Sequence, residues 1–216
     1  MKSAVSDCYE PKYGEPLRII PKAQREQAIK RAGYNTFLLK PREVYIDLLI
    51  HNKVNNNKSK QDILNSQGSN CNYDKYRLEQ VEYLLERLKK ALIPVINSSG
   101  GQAVFLDAKR FLSHIPQSQF SAQALAAALY VDSGVRGMER GVVFAGRDSK
   151  TGKDRIPKLE LVKLTIPQGV YTYAHLDYVA EAIISLYKKR NEIKGLKWEY
   201  EPKILRFFTG RFSVIE

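Results

Sequence analysis

Four short runs in this 216-residue chain hold residue types that could do chemistry. Gly100-Gly101, in SSGGQAVFLD, offers bare backbone of the kind a phosphate cradle uses. A P-loop needs GxxxxGK[ST] between a strand and a helix. Here the strand-like AVFLD follows the glycines, so a hairpin turn is the better reading. RDSKTGKD (147–154) sets Lys150 and Lys153 beside Ser149 and Asp154. A lysine becomes a Schiff-base nucleophile only when desolvated or held near another cation. Gly and Asp crowd this run between two strand-like segments, which predicts a solvated loop. GVRGMERG places Arg136, Glu139 and Arg140 between a helix and a strand. Such an arginine could bind a carboxylate or a phenolic oxygen; on the residues alone, a surface ion pair is preferred. RFFTGRF (206–212) interleaves Phe207, Phe208 and Phe212 with Arg206 and Arg211. Aromatics and arginines on a sheet can form a single-strand nucleic-acid platform. The RNP1 pattern is not matched, and alternating core and surface positions on a strand explain the run as well.

Other candidates are weaker. Cys8 and Cys71 both fall in segments read as loose, with no CxxC pair, so zinc and a disulfide framework are not expected. His51, His114 and His175 lack metal-ligand spacing. The net charge of +12 could attract nucleic acid or an anionic membrane. No run of five or more Lys/Arg occurs, so a basic face toward an acidic partner, or a solvated surface, is the preferred reading. The start lacks an apolar leader core, and no apolar run approaches a membrane span. The expected location is the cytoplasm.

The elements that must position these residues follow from periodicity. PKAQREQAIKRAG (21–33) predicts a short helix with Ala28, Ile29 and Ala32 on its apolar face and Gly33 as the C′ residue. YNTFLL and VYIDLLI read as extended or short helical pieces. YDKYRLEQVEYLLERLKKA predicts a helix with Leu78, Val81, Leu85 and Leu88 inward, Asp74 as N-cap and Arg87, Lys89 and Lys90 at the C-terminal end of the dipole. IPVI, SSGG and AVFLD read as a β-hairpin. FSAQALAAALYVDSG predicts a helix from an N-cap at Ser121 to Gly134. VVFAGR and KLELVKLTIP read as strands. Tyr173 to Arg190 predicts a helix with Val179, Ala182, Ile183 and Leu186 inward, and LKWEYEPKILRFFTGRF gives two final strands around Glu201-Pro202. The sum is an α+β fold, an antiparallel sheet covered by helices. Between the patterned parts lies HNKVNNNKSKQDILNSQGSNCN (51–72), longer than most loops in compact domains. As a flexible coil it would span roughly 25 Å.

Long strings of the chain resemble the tyrosine phenol-lyase and tryptophanase family of pyridoxal-phosphate (PLP) lyases. They are GGQAVFLDAKRFLSHIPQSQFSAQALAAALYVDSGVRGMERG, AGRDSKTGK, LTIPQGVYTYAHLDYVAEAI and IKGLKWEYEPKILRFFTGRF, with EPLRI and AGYNTFLLKPREVYIDLL near the start. MERG favours the tyrosine phenol-lyase branch, whose reaction cleaves L-tyrosine to phenol, pyruvate and ammonia. The resemblance implies the small domain of a fold-type I PLP enzyme. In the family, the segment like VYIDLL leads into a large PLP-binding domain, and the segment like NYDKYRLEQVEYLLERLKKA follows it. Here 22 polar residues join the two. The expected organisation is therefore 1–50 as the N-terminal segment of the small domain, 51–72 as a linker at the site of the missing large domain, and 73–216 as the C-terminal small domain.

The aldimine lysine, the Asp that partners the pyridine nitrogen and the phosphate-binding loop belong to that large domain. No cofactor and no catalytic residue is expected for this chain alone, although the family uses PLP. The resemblance assigns substrate-binding roles to Arg140, at the phenol hydroxyl, and to Phe37, Phe207 and Phe208, near the substrate ring. Lys163 stands where the family has an arginine for the substrate carboxylate, a departure that replaces a two-bond grip by a point charge. Gln102 stands where the family has His. The expected reading is a small-domain remnant, inactive alone. The alternatives are a binding or regulatory module that associates with a full-length lyase subunit or with itself through an exposed contact face, and, ranked last, a nucleic-acid binder.

Overall fold

Four segments, 20–48, 71–97, 101–167 and 170–216, are described by the computed structural model of the chain. Residues 1–20 read from the sequence as extended and partly loose; all but the last of them, together with most of the polar run, lie outside the described residues. Helix α1 (Lys22–Arg31) buries Arg25, Ala28 and Ile29. It ends as expected at Gly33, whose φ is +56°, with Tyr34 N donating to Ile29 O. Helix α2 (Cys71–Lys90) begins a turn earlier than its cap signal. Asp74 therefore lies inside the helix, and Cys71 opens it. Val81, Leu84, Leu85 and Leu88 face the core, whereas Leu78 is exposed at 41%. The inward stripe is centred on the 81/84/85/88 rows, one turn past where the sequence places its start.

The expected hairpin is present in outline. Strand β2 (Ala103–Asp107) receives the 93–96 segment antiparallel: Val95 bridges Leu106, and Ile96 N donates to Phe105 O at 3.0 Å. A short helix, α3 (Ala108–Phe111), follows. Helix α4 (Ser121–Ser133) runs buried along nearly its whole length, its alanines allowing close approach on every side. Its N-cap is Phe120 in the left-handed region rather than the expected Ser121, and Gly134 (φ +77°) ends it. Arg25 holds the far end, donating through Nε to Val131 O at 2.9 Å and through Nη2 to Asp132 O at 2.7 Å. A cation on the last carbonyls of a helix is favoured by its dipole.

Strands β1 (Ile46–Asp47) and β3 (Val135–Arg136) pair in parallel, a feature the sequence reading does not contain. Gly137 separates β3 from β4 (Met138–Arg140), which pairs antiparallel with β5 (Leu161–Thr165); β5 in turn pairs antiparallel with β2. Leu48 joins the two sheets: its N–H donates to Arg136 O at 2.9 Å, and its carbonyl accepts from Thr165 N at 2.8 Å. Helix α6 (Tyr173–Lys188) packs Leu176, Val179, Ala180, Ile183 and Leu186 inward, with Ala182 half-buried. Strands β6 (Leu196–Tyr200) and β7 (Arg211–Val214) form the last hairpin. The architecture is α+β, an antiparallel sheet flanked by helices. Among the described residues, no helix is long and apolar enough to cross a membrane, and no cluster of three or more His, Cys, Asp or Glu could hold a metal ion.

Two expected strands are helical turns. VVFA forms α5 (Val142–Ala145), and RFFT forms α7 (Arg206–Thr209) between β6 and β7. β-branched and aromatic residues favour strands only as a weak prior that tertiary bonds override. At α5 those bonds come from two carboxylates, described next; at α7 they come from Asn35, whose Nδ2 donates to Phe207 O and Gly210 O.

Candidate functional site

Asn35 stands at the centre of the site. It is 1% exposed. Its Oδ1 accepts from Phe37 N at 3.0 Å and so caps the 3₁₀ turn Thr36–Leu38. Its Nδ2 donates to Phe207 O at 3.3 Å and to Gly210 O at 2.8 Å. One amide therefore fixes the turn that carries Phe37 against the turn that carries Phe207 and Phe208. The three rings meet edge to face: Phe37 to Phe207 at 4.6 Å, Phe37 to Phe208 at 5.1 Å, and Phe207 to Phe208 at 5.1 Å between centroids. Phe144 of α5 joins at 5.1 Å from Phe207. Edge-to-face pairs of this kind contribute about 0.5–1.5 kcal/mol each beyond burial.

Arg140 ends β4, and its guanidinium lies 3.9 Å above the Phe144 ring centroid. The surface ion pair preferred on the residues alone is not formed among the described residues; the aromatic face takes its place. Burial lowers the Arg140 pKa, partly countered by Glu139. Lys163 lies opposite Met138 on β4 and opposite Phe105 on β2. Side chains alternate along strands, so Lys163, Met138, Phe105 and Arg140 share one face of the sheet. Lys163 is 6% exposed, and burial and then the Arg140 charge hold its pKa below the ordinary lysine value. The structure thus brings Phe37, Phe207, Phe208, Arg140 and Lys163 into one neighbourhood through shared sheet positions and ring contacts. Gln102 is exposed and, among the described residues, its one bond is through its backbone, from Ile166 N.

Four supports of this site have roles that the sequence did not disclose, although Arg136, Glu139 and Arg206 lie in runs weighed there. Arg206, one residue before Phe207, donates to Val142 O at 3.2 Å and to Val143 O at 3.4 Å, and binds Asp154 at 2.7 Å and Glu201 at 2.8 Å. It locks α7 onto α5 and onto the 147–154 hairpin. That hairpin is the expected solvated turn, closed by Asp148 accepting from Lys150 N and Thr151 N. Asp47, half-buried, and Arg136, buried, form an ion pair, Nε to Oδ1 3.0 Å, and Arg136 also donates to Leu39 O at 3.2 Å and Thr36 O at 3.4 Å. Glu139 accepts from Gly141 N, Val143 N and Phe144 N at 2.6, 3.2 and 3.0 Å. Glu160 accepts from Val142 N at 2.9 Å and Ala122 N at 3.3 Å. The carboxyl oxygens of these two residues occupy the N–H groups that open α5, which a helix leaves without partners of its own. Burial, then the neighbouring Glu160 charge, raises the Glu139 pKa to about 8. Gly141 lets them approach, since a Cβ there would lie 2.3 Å from Glu160 Oε2. A sequence signal exists for both: each is a lone acid in an apolar run, GMERGVV and KLELV.

The family described as Beta-eliminating lyase matches residues 37–182 of the chain. That span contains Phe37, Arg140 and Lys163, while Phe207 and Phe208 lie beyond it. The chain is 61% identical over 143 residues to a tyrosine phenol-lyase of Lacrimispora saccharolytica, covering 66% of this chain and 31% of the relative. It is 61% identical over 141 residues to the tyrosine phenol-lyase of Pasteurella multocida, covering 65% and 31%. It is 55% identical over 138 residues to that of Nostoc punctiforme, covering 64% and 30%. The matched part of the chain thus spans about a third of the length of these relatives.

Proposed function

The chain belongs to the beta-eliminating lyase family, and on that premise we propose that it is a substrate-ring-binding domain of the tyrosine phenol-lyase kind, inactive alone. The carrying observation is the convergence of Phe37, Phe207 and Phe208 with the Arg140–Phe144 stack. An aromatic side chain suits such a cluster edge to face, and a guanidinium suits a phenolic oxygen.

The family's carbon–carbon cleavage takes its electron sink from PLP. The described residues do not fit that group. A phosphate needs free backbone N–H groups at a turn or helix start. The N–H groups that open α5 are filled by Glu139 and Glu160, and α6 starts with Thr172 and His175 in a reciprocal cap. Lys150 and Lys153 sit in an exposed turn. These residues can bind and orient an aromatic ring; the bond-breaking chemistry of the family needs groups supplied from outside them.

Two measurements test the reading. Purified chain with added PLP is expected to release no phenol from L-tyrosine above background, and steady release would overturn it. Phenol is expected to shift the NMR signals of the Phe37–Phe207 cluster in wild type and not in Phe207→Ala. A second reading, a module that docks on a lyase subunit, draws support from Phe144, Ile204, Leu205 and Phe208, exposed at 50, 77, 62 and 46% on and beside α5 and α7. Apolar groups gathered this way mark an interaction surface. Failure to co-purify with a tyrosine phenol-lyase subunit would remove that reading. The nucleic-acid reading loses its platform, since RFFT is a helical turn with Phe207 buried.

A further inference from the structure

Lys163 is the part of the site that a ring-binding role does not use. It is the one lysine among the buried polar and charged residues described. Among the described residues its ammonium has no hydrogen-bond or ion-pair partner, and the neighbouring charge is the like charge of Arg140. Holding a lysine largely out of water beside a like charge is costly. A salt bridge or an apolar replacement would remove that cost, whereas an amine that gives up its proton more readily beside a cation has a use as a nucleophile toward carbonyl carbon. Arg140 sits two strand positions from Met138, the direct partner of Lys163. The two long side chains therefore lie diagonally on one sheet face, roughly 7–8 Å apart at the backbone and within reach of one small ligand. Arg140 also touches Phe144, which touches the aromatic cluster.

We propose that Lys163 captures the oxo carbon of an aromatic 2-oxo acid as a Schiff base, with the carboxylate on Arg140 and the ring on the Phe144–Phe207–Phe208 cluster. This rests on the ring-binding reading of the same cluster and adds a covalent step to it; a ring without a hydroxyl leaves the Arg140 guanidinium to the carboxylate. The unprotonated fraction of Nζ adds to the oxo carbon, and the carbonyl π pair moves to oxygen and takes a proton. The carbinolamine then loses water as the C=N bond forms. The exchange is one water for one imine and needs no oxidant, reductant or cofactor. The depressed pKa of Lys163 favours reaction there over surface lysines near neutral pH, where an ordinary lysine is protonated.

The test uses the full chain at pH 7 with phenylpyruvate and cyanoborohydride, followed by peptide mass mapping. 3-Phenylpropanoate, which has the ring and carboxylate but no oxo group, serves as the non-covalent probe and is followed by NMR. A single saturable adduct on Lys163, competed by 3-phenylpropanoate and lost in Lys163→Arg, is expected. Near-UV circular dichroism of Lys163→Arg checks that the variant keeps its packing. Arg140→Gln is expected to raise the half-saturating phenylpyruvate concentration about tenfold, as loss of one charge-assisted bond implies. If 3-phenylpropanoate binds at the cluster while Lys163 stays unmodified, the Schiff-base inference fails and ring binding survives. If neither ligand registers at the site, both fail. Scattered labelling that is unchanged in Lys163→Arg likewise overturns the inference.

Discussion

Replacing Asn35 by Ala removes the single amide that joins the Phe37 turn to the Phe207 turn. Three hydrogen bonds disappear: Phe37 N to Oδ1 at 3.0 Å, and Nδ2 to Phe207 O at 3.3 Å and to Gly210 O at 2.8 Å. The site is 1% exposed, so the orphaned groups have no ready access to solvent. A buried group left without its partner costs about 1–3 kcal/mol. The 3.3 Å bond is the weakest of the three, and a water entering the vacated space would recover part of the loss. A total of about 3–4 kcal/mol is therefore expected, a large share of the roughly 5–15 kcal/mol that holds a domain together. Urea unfolding followed by Trp198 fluorescence would read it as a lower midpoint at unchanged slope. Trp198 suits the purpose because it stacks on Phe212 at 4.2 Å in the adjoining hairpin. Asn35→Asp keeps the acceptor for Phe37 N but turns a second oxygen toward two carbonyls, so it should be at least as damaging at pH 7. A loss below about 1 kcal/mol for Asn35→Ala, or an Asp variant close to wild type, would refute the reasoning.

Arg136→Met should cost about 3–5 kcal/mol in thermal or urea unfolding, because it removes the ion pair with Asp47 and frees Leu39 O and Thr36 O; near-neutral behaviour would show that the pair is dispensable. Glu139 keeps its proton in the folded chain up to about pH 8 but releases it near 4.5 when unfolded. Its contribution is therefore fully present below pH 4.5 and is lost as pH rises toward 8. Urea midpoints of wild type and Glu139→Gln from pH 5 to 8.5 should diverge in slope, and parallel profiles would contradict the assignment. Gly33→Ala should destabilise by about 1–3 kcal/mol, since φ is +56° and a Cβ would stand 2.6 Å from Arg211 Cβ; calorimetry reads it directly.

The long helices were legible because 3.6-residue periodicity is a local signal. Val81, Leu85 and Leu88, or Val179, Ile183 and Leu186, declare their face without help from the rest of the chain. The two short turns α5 and α7 were not legible. VVFA has the composition of a strand, and it is helical because Glu139 and Glu160 fill its N–H groups from β4 and from the residue before β5. The aromatic cluster was reached only through family resemblance. Nothing local in NTFLL or RFFTG predicts that Phe37 and Phe207 meet, and the agent of their meeting, Asn35, reads from the sequence as one more turn residue. Arg140 was weighed as an ion-pair partner because the sequence could not show that Phe144, four residues on, would turn back beneath it.

Asn35 reaches across 172 residues to Phe207 and 175 to Gly210. A ring site closed by such remote contacts has a kinetic consequence. Local helices and hairpins form first, and the aromatic turns meet only when the two ends of the chain are brought together. The entropic cost of that closure grows only logarithmically, about 0.6 kcal/mol for each doubling of the intervening chain. The length of chain between β1 and α2 can therefore change greatly while the closed cluster keeps nearly the same stability. Mutations at the closure should hasten unfolding far more than they slow folding.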